Sequence, residues 1–170
     1  MKRAPTFIAS LVLASLALVG CSSKDEVKAE VTTPAYEAAL FSKEWKLAQV
    51  LDKDGKDKKF SRAALKGENF YTIRFDAERV SGSGAVNRFT APYTRGQVMT
   101  KDDNAVELGV KVDMMVNTLA ATKAASIGKE PLKEAEYFKA VQEAKTLILS
   151  ASADEARLVS PNTILIYKAQ

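Results

Sequence analysis

The sequence predicts one α+β or mainly β domain, in which short antiparallel strands form a sheet and one amphipathic helix packs on it. Short stretches that alternate between apolar and polar side chains recur from Trp45 to Tyr167, and such alternation is typical of half-buried strands. One stretch near the carboxyl end has instead the apolar spacing of a helix that lies on a sheet. Because the strands follow one another rather than alternating with helices, antiparallel pairing is favoured.

The amino-terminal residues predict a secretion signal that ends at a lipidated cysteine. Lys2 and Arg3 precede an apolar run over residues 7–19, which is too short to span a bilayer as a helix. The run ends in Leu-Val-Gly-Cys, which resembles the lipobox of bacterial lipoproteins. In those proteins a diacylglyceryl group is joined to the cysteine sulfur, and the signal is removed before that residue. Residues 1–20 are therefore predicted as a signal peptide and Cys21 as the lipid attachment site.

A lipidated Cys21 predicts a membrane anchor made of acyl chains. Each buried methylene contributes about 0.8 kcal/mol, so two or three chains hold a protein stably on a bilayer. Cys21 is the only cysteine of the chain, and its lipidation would leave no free thiol for catalysis or zinc binding. The alternative is an unmodified thiol after a signal peptide that is cut further along the chain.

Residues 21–40 are predicted as the lipidated cysteine and a polar tether, and residues 41–170 as the folded domain. The tether is assigned because residues 22–35 are polar and charged and show no apolar periodicity. Ser22 and Ser23 follow the cysteine where an aspartate would be expected for retention at the inner membrane. By resemblance to lipoproteins of Gram-negative bacteria, this favours the periplasmic face of the outer membrane.

Composition argues against nucleic acid as a partner and against most enzymes. Removing residues 1–20 from the 170-residue chain leaves 150 residues, which suits one domain. Without Lys2 and Arg3, 23 basic residues stand against 21 acidic ones, and no basic cluster with interleaved aromatics occurs. Histidine, the commonest general base and metal ligand, is absent. We therefore expect no catalytic residues, metal or cofactor; the alternative is a hydrolase that pairs Ser81 or Ser83 with a lysine.

The strands and the helix follow from the apolar pattern of each segment. Residues 112–127, rich in alanine and methionine, are predicted as a helix or a covering loop in which Met115, Leu119 and Ala120 share a face. A clearer helix begins at Pro131, a residue suited to the first helical position, and Glu134 is predicted to point outward. The predicted apolar face of this helix is Leu132, Ala135, Phe138 and Val141. The predicted strands are residues 44–51, 71–75, 79–82, 87–93, 96–99, 105–108, 146–149, 157–159 and 163–167.

Two motifs that suggest ligand sites are better explained by turns. Residues 52–57 carry alternating carboxylates as a calcium loop does, but lysines are interleaved and the closing bidentate glutamate is missing. Residues 82–87 begin like a dinucleotide fingerprint, yet Asn87 takes the place of the third glycine and a strand pattern follows. Gly82 and Gly84 are instead predicted to permit positive φ in a tight turn or bulge.

Four motifs occur in an order that resembles a known family. They are Trp-x-Leu at residues 45–47, a Gly-Ser-Gly-Ala-Val-Asn-Arg-Phe run within 81–93, a Thr-Lys segment at 121–125 and a Glu-Ala-Glu-Tyr-Phe run in the helix at 134–138. This order resembles the META domain, also called the HslJ-like domain, of bacterial lipoproteins and secreted proteins. The residues that carry the resemblance are Trp45, Gly82, Gly84, Asn87, Arg88, Phe89, Tyr93, Thr122 and Phe138.

The resemblance implies a strongly curved antiparallel sheet of roughly seven to eight strands, a partial barrel with one amphipathic helix packed on it. It implies no catalytic residues. Many family members have cysteines at the places held here by Val86 and Ser126, so a disulfide that would contribute about 2–4 kcal/mol is missing. We expect packing around Val86 to replace it, or the domain to be less stable.

Two hypotheses for the function remain besides the enzyme. The first is a non-enzymatic, lipid-anchored envelope protein that binds or supports another envelope component in envelope integrity or stress tolerance. Its partners are the membrane, through acyl chains on Cys21, and an unknown envelope protein or ligand. The second is a periplasmic carrier of a small apolar ligand or peptide in the concave face of the sheet. It predicts a pocket lined by Trp45, Tyr71, Phe89 or Tyr93, whereas the first predicts that these side chains pack against the helix.

Overall fold

The computed structural model describes residues 33–58, 71–99, 108–124 and 130–170. Two helices and nine strands lie within these ranges. In chain order they are α1 (Thr33–Phe41), β1 (Trp45–Asp52), β2 (Thr72–Phe75), β3 (Arg79–Ser83), β4 (Arg88–Met99), β5 (Leu108–Val116), β6 (Ala120–Ala121), α2 (Glu130–Gln142), β7 (Thr146–Ser150), β8 (Glu155–Val159) and β9 (Thr163–Ala169).

Eight of these strands form a closed antiparallel barrel in the order β3-β2-β1-β9-β8-β7-β5-β4, and β4 pairs back onto β3. The long strand β4 makes this closure possible because different parts of it meet different neighbours. Its first part, through Pro92, pairs with β3, and its second part, from Tyr93, pairs with β5. The ninth strand, β6, adds two residues to the other edge of β4 at Phe89 and Thr90. Closure leaves the eight barrel strands without a free edge.

The predicted fold class is confirmed: the domain is mainly β, with an antiparallel curved sheet and a helix packed on it. The barrel is fully closed rather than partial. The strand predicted at residues 96–99 is the continuation of β4, interrupted by a bulge between Arg95 and Val98. Of the strand predicted at 105–108, residues 105–107 lie outside the described part of the chain. Residue 108 is the first residue of β5.

The start of the segment predicted as a helix or covering loop is a strand. Residues 112–116 belong to β5, which lies between β4 and β7. Val112, Met114 and Val116 are buried, while Met115 is 50% exposed. This two-residue alternation is that of a strand, so the helical face proposed for Met115 is wrong. The alanine-rich composition suggested a helix, but pairing on both sides of β5 determines the structure.

Helix α1 extends the folded region toward the amino terminus. It begins at Thr33, within the segment 21–40 that the sequence predicts as a tether. Tyr36 and Leu40 are buried in the main core, and the indole Nε1 of Trp45 donates to Leu40 O at 3.1 Å. The domain therefore includes residues before 41, and the polar segment that remains between Cys21 and the first helix is correspondingly shorter.

Helix α2 is confirmed, but its buried face differs from the predicted one. Tyr137 and Val141 are fully buried, whereas Ala135 is exposed and Phe138 is half-buried. Glu134, predicted to point outward, is only 4% exposed. Apolar spacing alone therefore predicts a helix that is rotated about its axis by a fraction of a turn. It treats each charged side chain as exposed, whereas the carboxylate of Glu134 finds hydrogen-bond donors in the interior.

Candidate functional site

A side chain would collide with a neighbour at two glycines, Gly82 within β3 and Gly84 in the turn between β3 and β4. A Cβ on Gly84 would lie 2.4 Å from Glu134 Oε1, and a Cβ on Gly82 would lie 2.0 Å from Thr72 O. The predicted positive φ is wrong for both glycines, since neither adopts the left-handed conformation. These positions require glycine because other groups approach the backbone closely.

The carboxylate that occupies the space above Gly84 belongs to Glu134 of α2. Its Oε1 accepts hydrogen bonds from the backbone N–H of Val86 and of Asn87, each at 2.7 Å. Its Oε2 accepts one from Asn87 Nδ2 at 2.6 Å. A buried carboxylate is costly unless hydrogen-bonded, and these three donors satisfy it. Helix α2 is thereby attached to the β3–β4 turn through one side chain.

Asn87 extends this network to β6. Its Oδ1 accepts hydrogen bonds from Thr122 Oγ1 at 3.0 Å and from the backbone N–H of Ala124 at 2.7 Å. Thr122 Oγ1 in turn accepts the backbone N–H of Arg88 at 3.1 Å, and Thr122 N donates to Arg88 O at 3.0 Å. Asn87, Thr122 and Glu134, here called the Asn87 cluster, join three segments that are far apart in sequence.

The Asn87 cluster joins the two segments that carry Val86 and position 126, for which the resemblance implies a disulfide in other proteins. Val86 is 37% exposed, so the packing expected around it does not occur. Asn87 and Arg88 instead make four hydrogen bonds to Thr122 and Ala124. Position 126, the other position to which the resemblance assigns a cysteine, lies outside the described residues.

Aromatic rings fill the interior beside the Asn87 cluster. The Phe89 ring lies 5.3 Å from Phe138 and 6.0 Å from Tyr137, measured between ring centroids. Tyr71 meets Tyr137 edge to face at 4.9 Å. Such edge-to-face and tilted contacts add about 0.5–1.5 kcal/mol each to the burial of the rings. This part of the barrel is therefore packed by side chains from the sheet and α2.

Trp45 and Tyr93 lie in other parts of the same core. Trp45 is fully buried at the start of β1. Tyr93 is 4% exposed, and its hydroxyl donates to Asp76 O at 2.7 Å. Burial raises the pKa of Tyr93 to about 12, with a smaller lowering by the Arg95 guanidinium. The hydroxyl is therefore a neutral hydrogen-bond donor at physiological pH.

The predicted site residues thus separate into three groups. The Asn87 cluster contains Asn87 and Thr122, with Gly84 and the backbone of Arg88 beside it. The adjacent core contains Gly82, Phe89 and Phe138. Trp45 and Tyr93 lie apart from both. Cys21 is outside the described residues. The residue that sequence reasoning missed is Glu134. Its position three residues before Tyr137 and seven before Val141 places it on the buried face, and that spacing was the available signal.

The Asn87 cluster can connect segments, but its groups are not arranged for catalysis. Both oxygens of Glu134 accept N–H donors, and the Thr122 hydroxyl donates to Asn87.

Within the described ranges no three His, Cys, Asp or Glu residues are grouped to hold a metal ion. Residues 52–57 form a turn in which Asp52 Oδ1 accepts the backbone N–H of Asp54 and Lys56, each at 2.9 Å. None of the helices in the described part of the chain is long and apolar enough to cross a membrane.

Comparison with known proteins supports the fold alone. No protein-family model matches the chain, and no curated protein matches it. A solved structure described as the NMR structure of the protein from Burkholderia xenovorans is similar, with a TM-score of 0.56 and 18% sequence identity. The similarity covers 90% of this chain and 99% of that chain. The barrel with its packed helix is therefore an arrangement that also occurs in a solved protein.

Proposed function

We propose that this chain is a lipid-anchored cell-envelope protein with a META-like domain that binds or supports another envelope component without catalysis. The observation that carries the proposal is the sequence from Met1 to Cys21, with its positive start, short apolar run and Leu-Val-Gly-Cys ending. The two serines after Cys21 favour the periplasmic face of the outer membrane. Eleven residues separate Cys21 from Thr33, where α1 begins, so this segment reaches at most about 40 Å.

A binding or supporting role is favoured over a carrier by the packing of the interior. Trp45, Tyr71, Phe89 and Tyr93, which would line the carrier's pocket, are each at most 4% exposed. Phe89 and Tyr71 contact rings of α2 rather than an open space. An apolar ligand would have to displace these contacts. The META-like assignment is supported by the joining of Gly84, Asn87 and Thr122 in one cluster.

The lipid anchor is tested by mass spectrometry of the amino-terminal peptide from protein made in a Gram-negative host. We expect a peptide that starts at Cys21 and carries acyl chains, and protein that sediments with membranes. The Cys21→Ser variant should lose both properties and keep its fold. An unmodified thiol, or processing at a different bond, would overturn the anchor.

The carrier alternative is tested with an apolar fluorescent dye and the chain from residue 22 onward, which contains every residue that the structure describes. We expect no saturable increase in fluorescence in the folded protein. Saturable binding that Phe89→Ala or Tyr71→Ala abolishes would favour the carrier instead. A variant of an exposed apolar residue, Met115→Ala, serves as the control because it leaves the interior unchanged.

A further inference from the structure

The outer face of β2, β3 and the start of β4 carries arginine and hydroxyl side chains. Strand alternation points Arg74 and Arg88 away from the core, and both are exposed. Between them lie Thr72, Ser81 and Ser83, which are half-buried. These five residues are here called the arginine face. Its two arginines lie on strands separated by one strand, which places them about 10 Å apart across the sheet.

The side chains of the arginine face lie in neighbouring positions across the three strands. Arg74 is paired with Ser81 across β2 and β3, and Arg88 is paired with Ser83 across β3 and β4. All five side chains line one surface concavity of about 340 Å³. The hydroxyls of Thr72 and Ser83 form a hydrogen bond of 3.0 Å with each other. Guanidinium and hydroxyl groups therefore surround one space.

Carboxylates among the described residues do not neutralise the positive charge of this face. No carboxylate lies within ion-pair distance of Arg74 or Arg88 in the part of the chain that the structure describes. Glu44 also lines the concavity, but it forms no ion pair with either arginine. By contrast, Arg95 and Arg157 are paired with glutamates. The arginine face thus retains its capacity to bind an anion.

The position of Arg88 is fixed by the Asn87 cluster. The backbone N–H of Arg88 donates to Thr122 Oγ1, and its carbonyl accepts from Thr122 N. Its neighbours in sequence, Asn87 and Phe89, are held by hydrogen bonds to Glu134 and by ring packing. A backbone ordered before binding loses little entropy when a ligand arrives. The Asn87 cluster therefore orders the backbone of Arg88, which favours ligand binding by its side chain.

We infer that the arginine face binds the phosphate groups of anionic lipid headgroups in the membrane to which Cys21 is proposed to be attached. This inference rests on the proposed lipid anchor. Guanidinium groups bind phosphate oxygens bidentately, and the hydroxyl of Ser81 supplies a further donor. The segment between Cys21 and α1, with its reach of about 40 Å, keeps the domain near that surface. Acyl chains and a basic surface then act together, as in proteins that use two membrane signals.

Vesicle flotation of the chain from residue 22 onward tests the face independently of the anchor, because this chain lacks Cys21. We expect binding to vesicles that contain phosphatidylglycerol, little binding to phosphatidylcholine alone, and loss of binding at high salt. The double variant Arg74→Gln/Arg88→Gln should reduce binding by about tenfold or more. The matched control is Lys123→Gln/Lys145→Gln, which removes the same charge from exposed positions outside the face.

Several outcomes would overturn the inference. One is a failure to bind phosphatidylglycerol vesicles at low salt, and another is an equal loss of binding in both double variants, which would indicate net charge alone. A third is stabilisation by inorganic phosphate that depends on Arg74 and Arg88 without any vesicle binding, because the ligand would then be a soluble phosphate. Thermal unfolding of both variants confirms that they are folded. Mass spectrometry of Cys21 separately decides whether the lipid anchor exists.

Discussion

At the residue scale, the carboxylate of Glu134 accepts three hydrogen bonds from a single turn. Glu134→Ala should lower the free energy of unfolding by about 3 kcal/mol, because buried donors lose their acceptor. Glu134→Gln should cost about 1–2 kcal/mol, since its amide nitrogen would face the amide nitrogen of Asn87 while its oxygen still accepts. Urea denaturation measures both changes.

The control for this substitution is Glu136 on the same helix. It is exposed, and Glu136→Gln and Glu136→Ala should each change the free energy of unfolding by no more than about 0.5 kcal/mol. If Glu134→Ala cost no more than Glu136→Ala, the hydrogen bonds from the turn would not stabilise the domain as argued.

Gly84 provides a second prediction, because its missing side chain is what allows Glu134 to approach. Gly84→Ala should destabilise the protein by about 1–3 kcal/mol, the range seen for overpacked sites, since the new Cβ would displace the carboxylate. In the Glu134→Ala background the same change should cost much less, because the colliding group is absent. Urea denaturation of the two single variants and the double variant gives the coupling energy. Additive effects would show that the glycine is needed for another reason.

At the scale of elements, the alternation of apolar and polar residues predicts most strands. It does not predict elements whose structure depends on contacts with other parts of the chain. Residues 112–127 are rich in alanine and methionine, and this composition predicts a helix or a covering loop. Residues 112–116 nevertheless belong to β5, because they pair with β4 and β7. Residues 21–40, which include most of helix α1, are predicted as a tether because residues 22–35 are polar and show no apolar periodicity. Tyr36 and Leu40 become buried only when the barrel is present, and no local signal reports that.

Helix α1 should therefore be necessary for stability. A chain that begins at residue 42 loses the burial of Tyr36 and Leu40 and the acceptor of the Trp45 indole. Leu40→Ala alone should cost about 2–5 kcal/mol, as is usual for a leucine in a packed core. Ala38→Ser, at an exposed position of the same helix, should have little effect. Thermal and urea unfolding compare these variants with a chain that begins at residue 31, which should unfold as the longer chain does.

At the scale of the whole molecule, closure of the barrel was the feature that the sequence could not predict. Alternation assigns strands to faces, but it does not report which strands are neighbours. The barrel closes because β4 is long enough to pair with β3 at one end and with β5 at the other. The Asn87 cluster was likewise only half predicted: the resemblance identified Asn87 and Thr122, while the buried Glu134 appears only once α2 is packed.

The closed interior also determines how the protein responds to alkaline pH. Burial raises the pKa of four core tyrosines, Tyr36, Tyr93, Tyr137 and Tyr167, above the ordinary value of 10.0, and that of Tyr93 reaches about 12. Because the folded pKa is the higher one, the stability contributed by each neutral hydroxyl is complete below pH 10. It is lost as the pH rises from 10 toward the folded pKa, by about 1.4 kcal/mol per pH unit for each tyrosine. We therefore expect the free energy of unfolding to fall steeply above pH 10, and tyrosinate absorbance to rise together with unfolding. Tyr93→Phe should remove one group's contribution, so that the free energy of unfolding falls less steeply with pH. If the tyrosines of the folded protein ionised with a midpoint near pH 10 in their absorbance, the burial of these rings would be contradicted.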